Sequence, residues 1–202
     1  LAAAYEAEFQ ELWSGAPDVA AVGSVAPAGI SLDGAVEVRF SPDDRPREAV
    51  LASIRGAQRR VRGAMFPFLD TQVARALADA AQRGVEVTLL TEKKQAENTQ
   101  ADETVAAAGG RVIVGANTSS PYSAMHEKFA IVDDEAVLTG ACNWTFTAFE
   151  KSNEDLLVIR DPALVQRYTR AFAALVNRYD PQGYVPADYG QHEPEATLHL
   201  VV

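Results

Sequence analysis

The sequence predicts an α/β fold in which a mixed, largely parallel β-sheet is flanked by helices on both faces. Short apolar runs typical of strands alternate along the chain with longer amphipathic segments typical of helices, and this β-α-β order is the pattern that such sheets produce. The chain has 202 residues, of which 48% are hydrophobic and 23% charged, enough for a domain with a substantial core. No apolar run reaches the roughly 20 residues that a membrane-spanning helix requires.

The first segment, residues 1–13, is predicted to be a helix because large apolar side chains recur on one helical face. These side chains are Leu1, Tyr5, Phe9 and Leu12. The same residue types recur at the same spacing near the other end, in Leu164, Tyr168, Phe172 and Leu175. We interpret residues 1–13 as the closing helix of a preceding homologous repeat. The open alternative is that any amphipathic helix selects such residues at such spacings.

A linker and then the main domain are predicted after this helix. Residues 14–35 are rich in Gly, Ala, Pro and Val, and their prolines interrupt regular elements, which predicts an inter-repeat linker. This main domain is predicted to span residues 36–179. It opens with an alternating strand at residues 36–40, which a helix near residues 46–58 follows.

The domain continues as further strand and helix pairs. Asp70 is predicted to cap a helix that runs to about Arg83, where Gly84 stops it. The other predicted elements are strands at residues 59–66, 85–90 and 111–114 and helices at residues 100–108 and 162–178. Residues 180–202 are predicted to be a C-terminal tail outside the domain.

The stretch from Met125 to Asp133 sets polar residues into an otherwise apolar predicted strand. Alternate strand residues face the same side, so His126 and Lys128 are predicted to emerge side by side. An imidazole and an ammonium on one pocket wall suit a phosphate ester, because the ammonium neutralises non-bridging oxygens while the imidazole attacks phosphorus or transfers a proton. Asp133 is predicted at the bend of a hairpin whose second strand covers residues 136–139.

The predicted hairpin adds a second group of polar atoms to this pocket. It returns Gly140 and Asn143 to the side of His126, where backbone N–H groups and the Asn143 amide face an anion. The next apolar run, at residues 156–159, is entered through Glu154. We expect the Glu154 carboxylate to accept the Nδ1 proton of His126, which leaves Nε2 as the nucleophile.

Together these residues resemble the phospholipase D superfamily, whose signature is His-x-Lys-x4-Asp, then Gly-Ser-x-Asn, then an acidic residue that enters a strand. The matching residues are His126, Lys128, Asp133, Gly140, Asn143 and Glu154. The resemblance implies a histidine that forms a phosphohistidine, a lysine and an asparagine that hold the phosphate, an aspartate that supports the site, and an acidic residue that orients the histidine. One residue departs from the pattern: Ala141 stands where the family has Ser, so one hydroxyl donor is missing.

The resemblance also implies that a second motif completes the site, because a phosphohistidine route needs another histidine to protonate the leaving oxygen. This histidine comes either from a preceding repeat, which the helix at residues 1–13 favours, or from a homodimer partner. No cofactor and no metal are expected, since a lysine and an asparagine already meet the phosphate and no carboxylate–histidine cluster has the spacing of metal ligands.

The charge balance bears on the substrate class. A net charge of -10 and a pI near 4.8 argue against a broad nucleic-acid-binding surface, so we expect a phospholipid rather than a nucleic acid. Hydrolysis and phosphatidyl transfer both remain open, and peripheral membrane contact is expected. Arg59, Arg60 and Arg62 are interpreted as a solvated helix end and strand edge. The alternatives are a nonspecific metal-independent endonuclease and a non-catalytic repeat that completes a partner's active site.

Overall fold

The computed structural model describes residues 1–14, 30–32, 35–96, 99–115 and 123–180. Its strands are β1 (Ile30–Leu32), β2 (Val36–Ser41), β3 (Arg60–Met65), β4 (Glu86–Glu92), β5 (Arg111–Gly115), β6 (Lys128–Val132), β7 (Ala136–Gly140) and β8 (Glu154–Ile159). Its helices are α1 (Ala2–Ser14), α2 (Pro46–Gly56), α3 (Thr71–Gln82), α4 (Lys93–Ala96), α5 (Ala101–Ala107), α6 (Phe146–Glu150) and α7 (Pro162–Tyr179). The predicted C-terminal tail after Asp180 lies outside the described residues.

The described strands form one sheet in the order β1-β2-β8-β7-β6-β3-β4-β5. Within it, β3-β4 and β4-β5 pair in parallel, whereas the other five neighbouring pairs are antiparallel. The predicted mixed sheet with flanking helices is confirmed, but the expectation that the sheet is largely parallel is wrong. Parallel neighbours need a long crossover, which α3 and α5 supply, whereas β6 and β7 are joined by a short turn that reverses the chain.

Part of the predicted linker is a strand. β1 pairs antiparallel with β2, from Ile30 opposite Val38 to Leu32 opposite Val36. The prolines that suggested a linker precede β1, so they leave its ladder intact. Ser14 ends α1, and the remaining linker residues other than residue 35 lie outside the described residues.

Neighbouring residues of the central strands pack against different helices. Leu89 belongs to the core beneath α2, α3 and α5, whereas Leu90 next to it packs against α7. Strand alternation produces this division. Phe172 of α7 is fully buried and meets Phe129 of β6 edge to face, with ring centroids 6.5 Å apart. The two helical layers cover the faces of the sheet, and the candidate site lies at one end of its strands.

The helix α1 packs on the same face of the sheet as α7, but over β2. Ala4 is buried against Val38 and Phe40, and the Tyr5 ring meets Phe40 edge to face at 5.1 Å. The helix itself is confirmed, while its origin in a preceding repeat stays a prediction. Other large apolar side chains of α1 are exposed: Leu1, Phe9, Leu12 and Trp13.

The turn between β6 and β7 is held by Asp133. Asp133 and Asp134 have φ angles of 53° and 60°, a left-handed conformation that aspartate tolerates better than most residues. The Asp133 carboxylate accepts hydrogen bonds from the backbone N–H groups of residues 58, 59 and 60 at 2.8, 2.7 and 2.9 Å. Burial raises the pKa of Asp133, but these bonds outweigh it and hold the pKa below its usual range.

The three arginines of this region pair with the acidic turn. Arg59 contacts Glu135 at 3.0 Å, Arg60 contacts Asp134 at 3.6 Å, and Arg62 also pairs with Asp134. Arg62 is 1% exposed, so the interpretation of a solvated edge is wrong for that residue. These guanidinium groups therefore already have carboxylate partners within the described structure.

We expect Asp133→Asn to lower the free energy of unfolding at pH 7 by about 1–3 kcal/mol, because hydrogen bonds to a charged acceptor have this strength. The folded-state pKa of Asp133 is lowered. Its contribution is therefore fully present above the unfolded pKa of about 4 and is lost as the pH falls through the folded pKa. Urea unfolding at pH 7 and at pH 3 measures both effects.

The matched control is Glu135→Gln in the same turn, whose side chain is 77% exposed and whose ion pair contributes about 0–1 kcal/mol. Equal losses for the two variants at pH 7 would contradict the assignment of the turn to Asp133.

Candidate active site

The predicted site residues other than Asp133 lie at one end of the sheet, where β3 and β7 end and β6 and β8 begin. The antiparallel pairing of these strands brings the four ends together. Lys128 is the first residue of β6, and His126 precedes the strand. The expectation that both lie within the strand is therefore wrong for His126. The last ladder bond runs from the Phe66 N–H to the Glu127 carbonyl at 2.8 Å, so the backbone at His126 is free to leave the strand path.

His126 and Lys128 do lie side by side, as predicted. The Lys128 Nζ is 3.2 Å from Nδ1 and 3.3 Å from Nε2 of the imidazole, and it donates to the His126 carbonyl at 3.4 Å. An ammonium has only donors, so the ring nitrogen that it meets must be an unprotonated acceptor. A neutral imidazole is the protonation state that allows the ammonium to donate a hydrogen bond to the ring.

Burial and charge favour this neutral form. Burial lowers the pKa of His126, and the Lys128 charge lowers it further, against a smaller opposing effect of Glu127. Burial also lowers the pKa of Lys128, although Glu154 and Glu127 oppose this. A neutral imidazole beside an ammonium combines a nucleophile or base with a cation that binds oxyanions.

The Phe66 ring lies beside both groups. Its centroid is 4.6 Å from the centroid of the His126 ring and 5.6 Å from the Lys128 Nζ. An aromatic face attracts a cation at such distances and leaves the imidazole a flat surface on which to pack. Phe66 was not predicted as a site residue, because its side chain has no polar group.

Glu154 begins β8 and shares a sheet face with Lys128, since strand alternation places both on the side of Ala130 and Leu156. Burial raises the pKa of Glu154, the charge of Asp155 raises it further, and Lys128 lowers it. No hydrogen bond joins Glu154 to His126 in the described structure. The expected bond to Nδ1 is thus absent here, and the electrostatic partner of Glu154 is Lys128.

Gly140 lets the end of β7 pass close to β8. Its φ is 137°, and a Cβ at this position would collide with the backbone carbonyl of Asp155. Any other residue would have to separate the two strands. The predicted role of Gly140 as part of the bend therefore has a steric basis.

Two backbone N–H groups of this bend are not free for an anion, contrary to expectation. The Ala141 N–H donates to Asp155 Oδ1 at 3.2 Å, and the Cys142 N–H donates to the Asp155 carbonyl at 3.1 Å. Sequence reasoning missed Asp155 because its partners are separated from it along the chain. The only signal was an acidic residue directly after Glu154.

Asn143 lies in the same bend, between the buried residues Cys142 and Trp144. Its side-chain Oδ1 is buried and has no hydrogen-bond partner among the described residues. No hydrogen bond joins it to His126 or to Lys128. The structure thus brings Asn143 to the correct edge of the sheet without a direct contact to the histidine and lysine pair.

A cavity of about 440 Å³ opens between these elements. It is lined by His126, Glu127, Lys128, Phe129, Thr139, Gly140, Ala141 and Tyr168. Thr139 and Tyr168 are new to the site: the Tyr168 O–H donates to Thr139 Oγ1 at 3.4 Å, and Thr139 Oγ1 donates to the Lys128 carbonyl at 3.1 Å. Tyr168 had been noted only for its helical spacing.

Asn143 and Glu154 do not line this cavity, although they lie at the same end of the sheet, and Asp133 lies at the opposite end of β6. Asp133 follows β6, whereas Lys128 begins β6, so the length of the strand separates them. A strand rises about 3.3 Å per residue, which puts Asp133 far beyond contact with Lys128. The aspartate supports the fold through residues 58–60 rather than the site chemistry directly.

The described residues contain no group of three or more His, Cys, Asp or Glu side chains that could hold a metal ion. No helix among them is both long and apolar enough to cross a membrane. The polar groups that line the cavity include the His126 imidazole, the Lys128 ammonium and the hydroxyls of Thr139 and Tyr168.

Comparisons with known proteins agree on one family. The family model described as "Cardiolipin synthase, PLD-like domain" matches residues 50–176, more than half of the chain. A mitochondrial cardiolipin hydrolase of Xenopus laevis is 36% identical over 143 residues, which are 67% of this chain and 63% of that protein. A phospholipase D of Rickettsia prowazekii is 24% identical over 133 residues. The chain thus spans less than two thirds of the length of these curated relatives.

Among solved structures, the phospholipase D family member Nuc from Salmonella typhimurium matches with a TM-score of 0.63 and 27% identity. The match covers 70% of this chain and 93% of that one.

We expect Lys128→Gln to raise the pKa of His126, because the variant removes a positive charge that opposes protonation of the ring. The pKa stays below its ordinary value, since burial is the larger cause and remains. A proton NMR titration of the imidazole measures the shift, with the resonance assigned through His126→Asn. Lys151→Gln is the control and leaves the titration unchanged. A His126 pKa that is equal or lower in Lys128→Gln would contradict the electrostatic contact.

Proposed function

We propose, from the premise that this chain belongs to the phospholipase D-like family of cardiolipin synthase domains, that it hydrolyses or transfers phosphodiester groups of phospholipids. The single observation that carries the proposal is the contact between the Lys128 Nζ and the His126 imidazole at an open cavity. A phosphodiester needs a nucleophile and a cation within one phosphate diameter, and this pair supplies both.

The first proposed step forms a phosphohistidine. A bound phosphate draws Lys128 from the ring nitrogens onto its non-bridging oxygens and so exposes Nε2. The Nε2 lone pair of His126 attacks phosphorus, and the bond from phosphorus to the leaving oxygen breaks. The leaving oxygen takes that electron pair and a proton from a second histidine.

The second proposed step regenerates the enzyme. Water, or an alcohol in a transfer reaction, attacks the phosphohistidine and gives its proton to the second histidine. The phosphorus–nitrogen bond breaks, and its electron pair returns to Nε2 of His126. Hydrolysis and transfer differ only in the incoming oxygen nucleophile.

The other predicted site residues take supporting roles in this scheme. Glu154 shares the face of Lys128 and balances its charge, and a small turn of the imidazole would let Glu154 accept the Nδ1 proton. Asn143 orients the phosphate by donating from its side-chain Nδ2. Gly140 lines the cavity without a side chain. Asp133 supports the strand that carries Lys128.

The second histidine is supplied by another copy of the motif. A preceding repeat is supported by the apolar pattern that α1 shares with α7. A homodimer partner is supported by the coverage of 93% of the Salmonella typhimurium chain, which means that one such domain nearly fills that chain. In either arrangement the second motif faces the open side of the His126 cavity.

Phospholipid is favoured over nucleic acid by two observations. The net charge of -10 repels a polyanion, and the arginines at positions 59, 60 and 62 already pair with carboxylates. The relatives named for cardiolipin hydrolysis support the same choice and imply contact with a membrane surface. Nonspecific endonuclease activity and a non-catalytic role are the alternatives that the assay below separates.

We expect His126→Asn to lower headgroup release from cardiolipin or phosphatidylglycerol vesicles by at least about 1,000-fold, because the nucleophile is lost. The variant should also lose the acid-labile phosphoprotein that a labelled substrate traps in the wild type. His192→Asn, in a residue outside the described ranges, serves as the matched control and keeps both. Cleavage of DNA without release of lipid headgroups, or unchanged turnover in His126→Asn, would refute the proposal.

A further inference from the structure

Asp155 links the candidate site to the first helix of the chain. Its Oδ1 accepts from the Ala141 N–H at 3.2 Å, and its Oδ2 accepts from the Tyr5 O–H at 2.7 Å. Its backbone carbonyl accepts from the Cys142 N–H at 3.1 Å. One residue at the start of β8 thus holds two consecutive amides of the bend after β7 and one hydroxyl of α1.

The bend that Asp155 holds belongs to the cavity. Gly140 and Ala141 line the cavity together with His126 and Lys128. Gly140 leaves no space between the bend and β8, because a Cβ there would meet the Asp155 carbonyl. The position of the bend is therefore set by contact with Asp155 on its side-chain and its backbone atoms.

Tyr5 is 37% exposed, and one side of its ring packs on the sheet. Its ring meets Phe40 edge to face at 5.1 Å, and the neighbouring Ala4 is buried against β2. Burial raises the pKa of the Tyr5 hydroxyl, and the hydrogen bond and charge of Asp155 raise it further, so the hydroxyl remains a donor at any pH where the enzyme would work. A neutral donor to a carboxylate is a strong, directional bond.

Glu154 and Asp155 serve opposite faces of the sheet, because consecutive strand residues point to opposite sides. Glu154 lies on the face of Lys128, whereas Asp155 lies on the face that α1 and α7 cover. The two acidic residues therefore have separate roles. A substitution of Glu154 is not expected to have the same effect as a substitution of Asp155.

We propose that Asp155 is a positioning residue, which holds the bend at Gly140–Asn143 in place beside the cavity, and that Tyr5 of α1 holds Asp155 in position. The inference rests on the proposed function for its catalytic consequence, but its structural part stands on the hydrogen bonds alone. The inference assigns a role to α1 within this domain, because the packing of α1 on β2 then controls the position of the bend.

The test compares Asp155→Ala, Asp155→Asn and Tyr5→Phe in the full chain. Asp155→Ala removes the acceptors for Ala141 and Tyr5, whereas Asp155→Asn keeps one oxygen for the Ala141 N–H and an amide that faces the Tyr5 oxygen. A misplaced site group costs roughly 10- to 100-fold in rate. We expect kcat for headgroup release to fall about 10-fold or more in Asp155→Ala and about 3-fold in Tyr5→Phe, with KM little changed and Asp155→Asn close to wild type.

A second measurement does not depend on turnover. Amide hydrogen exchange at Ala141 should accelerate about 10-fold or more in Asp155→Ala and less in Tyr5→Phe, while buried amides of β3 and β4 keep their rates. Glu6→Gln, an exposed change on α1, is the control and alters neither exchange nor kcat. Tyr5→Phe should have no further effect on kcat in the Asp155→Ala background, because both residues act through one link.

Unchanged exchange at Ala141 in Asp155→Ala would overturn the inference, as would equal acceleration across the whole sheet, which indicates general destabilisation. Additive effects of Tyr5→Phe and Asp155→Ala on kcat would overturn the role of Tyr5. If the wild-type chain releases no lipid headgroup, the proposed function fails, and the exchange experiment still decides whether Asp155 holds the bend.

Discussion

An ammonium held against a neutral imidazole is the interaction on which the site of this protein depends. The Lys128 Nζ lies 3.2 Å from Nδ1 of His126, and two charged groups at that distance would repel each other. Burial and the lysine charge both lower the pKa of His126, so the pair persists with only one charge. The Phe66 ring beside both groups and the Glu154 carboxylate on the lysine's face stabilise the arrangement. The rest of the domain positions these four side chains.

Antiparallel pairing provides that positioning. Strands that alternate in direction bring the ends of β3 and β7 to the starts of β6 and β8, so four chain segments that carry polar groups meet at one edge. The close passage at Gly140 then joins the bend after β7 to Asp155. Because adjacent strand residues face opposite sides, Glu154 turns to the lysine while Asp155 turns to Tyr5 of α1. One short acidic segment thereby connects the chemistry of the site with the packing of a distant helix.

Predictions from local pattern were accurate where the cause is local. Asp70 caps α3 as predicted, with its side chain accepting from the N–H groups of residues 72 and 73, because a cap depends on a few consecutive residues. His126 and Lys128 lie side by side for the same reason. The largely parallel sheet was wrong because strand direction depends on how whole segments connect. Asp133 lies at the hairpin bend as predicted, but the length of β6 separates it from Lys128, which the spacing of the motif does not show.

The sequence by itself determined the longer helices, the strands other than β1, the mixed α/β class and the residue types suited to a phosphate, since each follows from short-range periodicity and chemistry. Only the tertiary structure decided that Asp155 occupies the amides of the bend, that Tyr5 holds Asp155, and that Tyr168 of α7 borders the cavity. Tyr5 and Asp155 lie 150 positions apart, and neither residue type identifies its partner. The packing of the helices on the sheet decides which donor meets which acceptor. Of the many polar groups in the chain, it brings only a few within hydrogen-bond distance of each other.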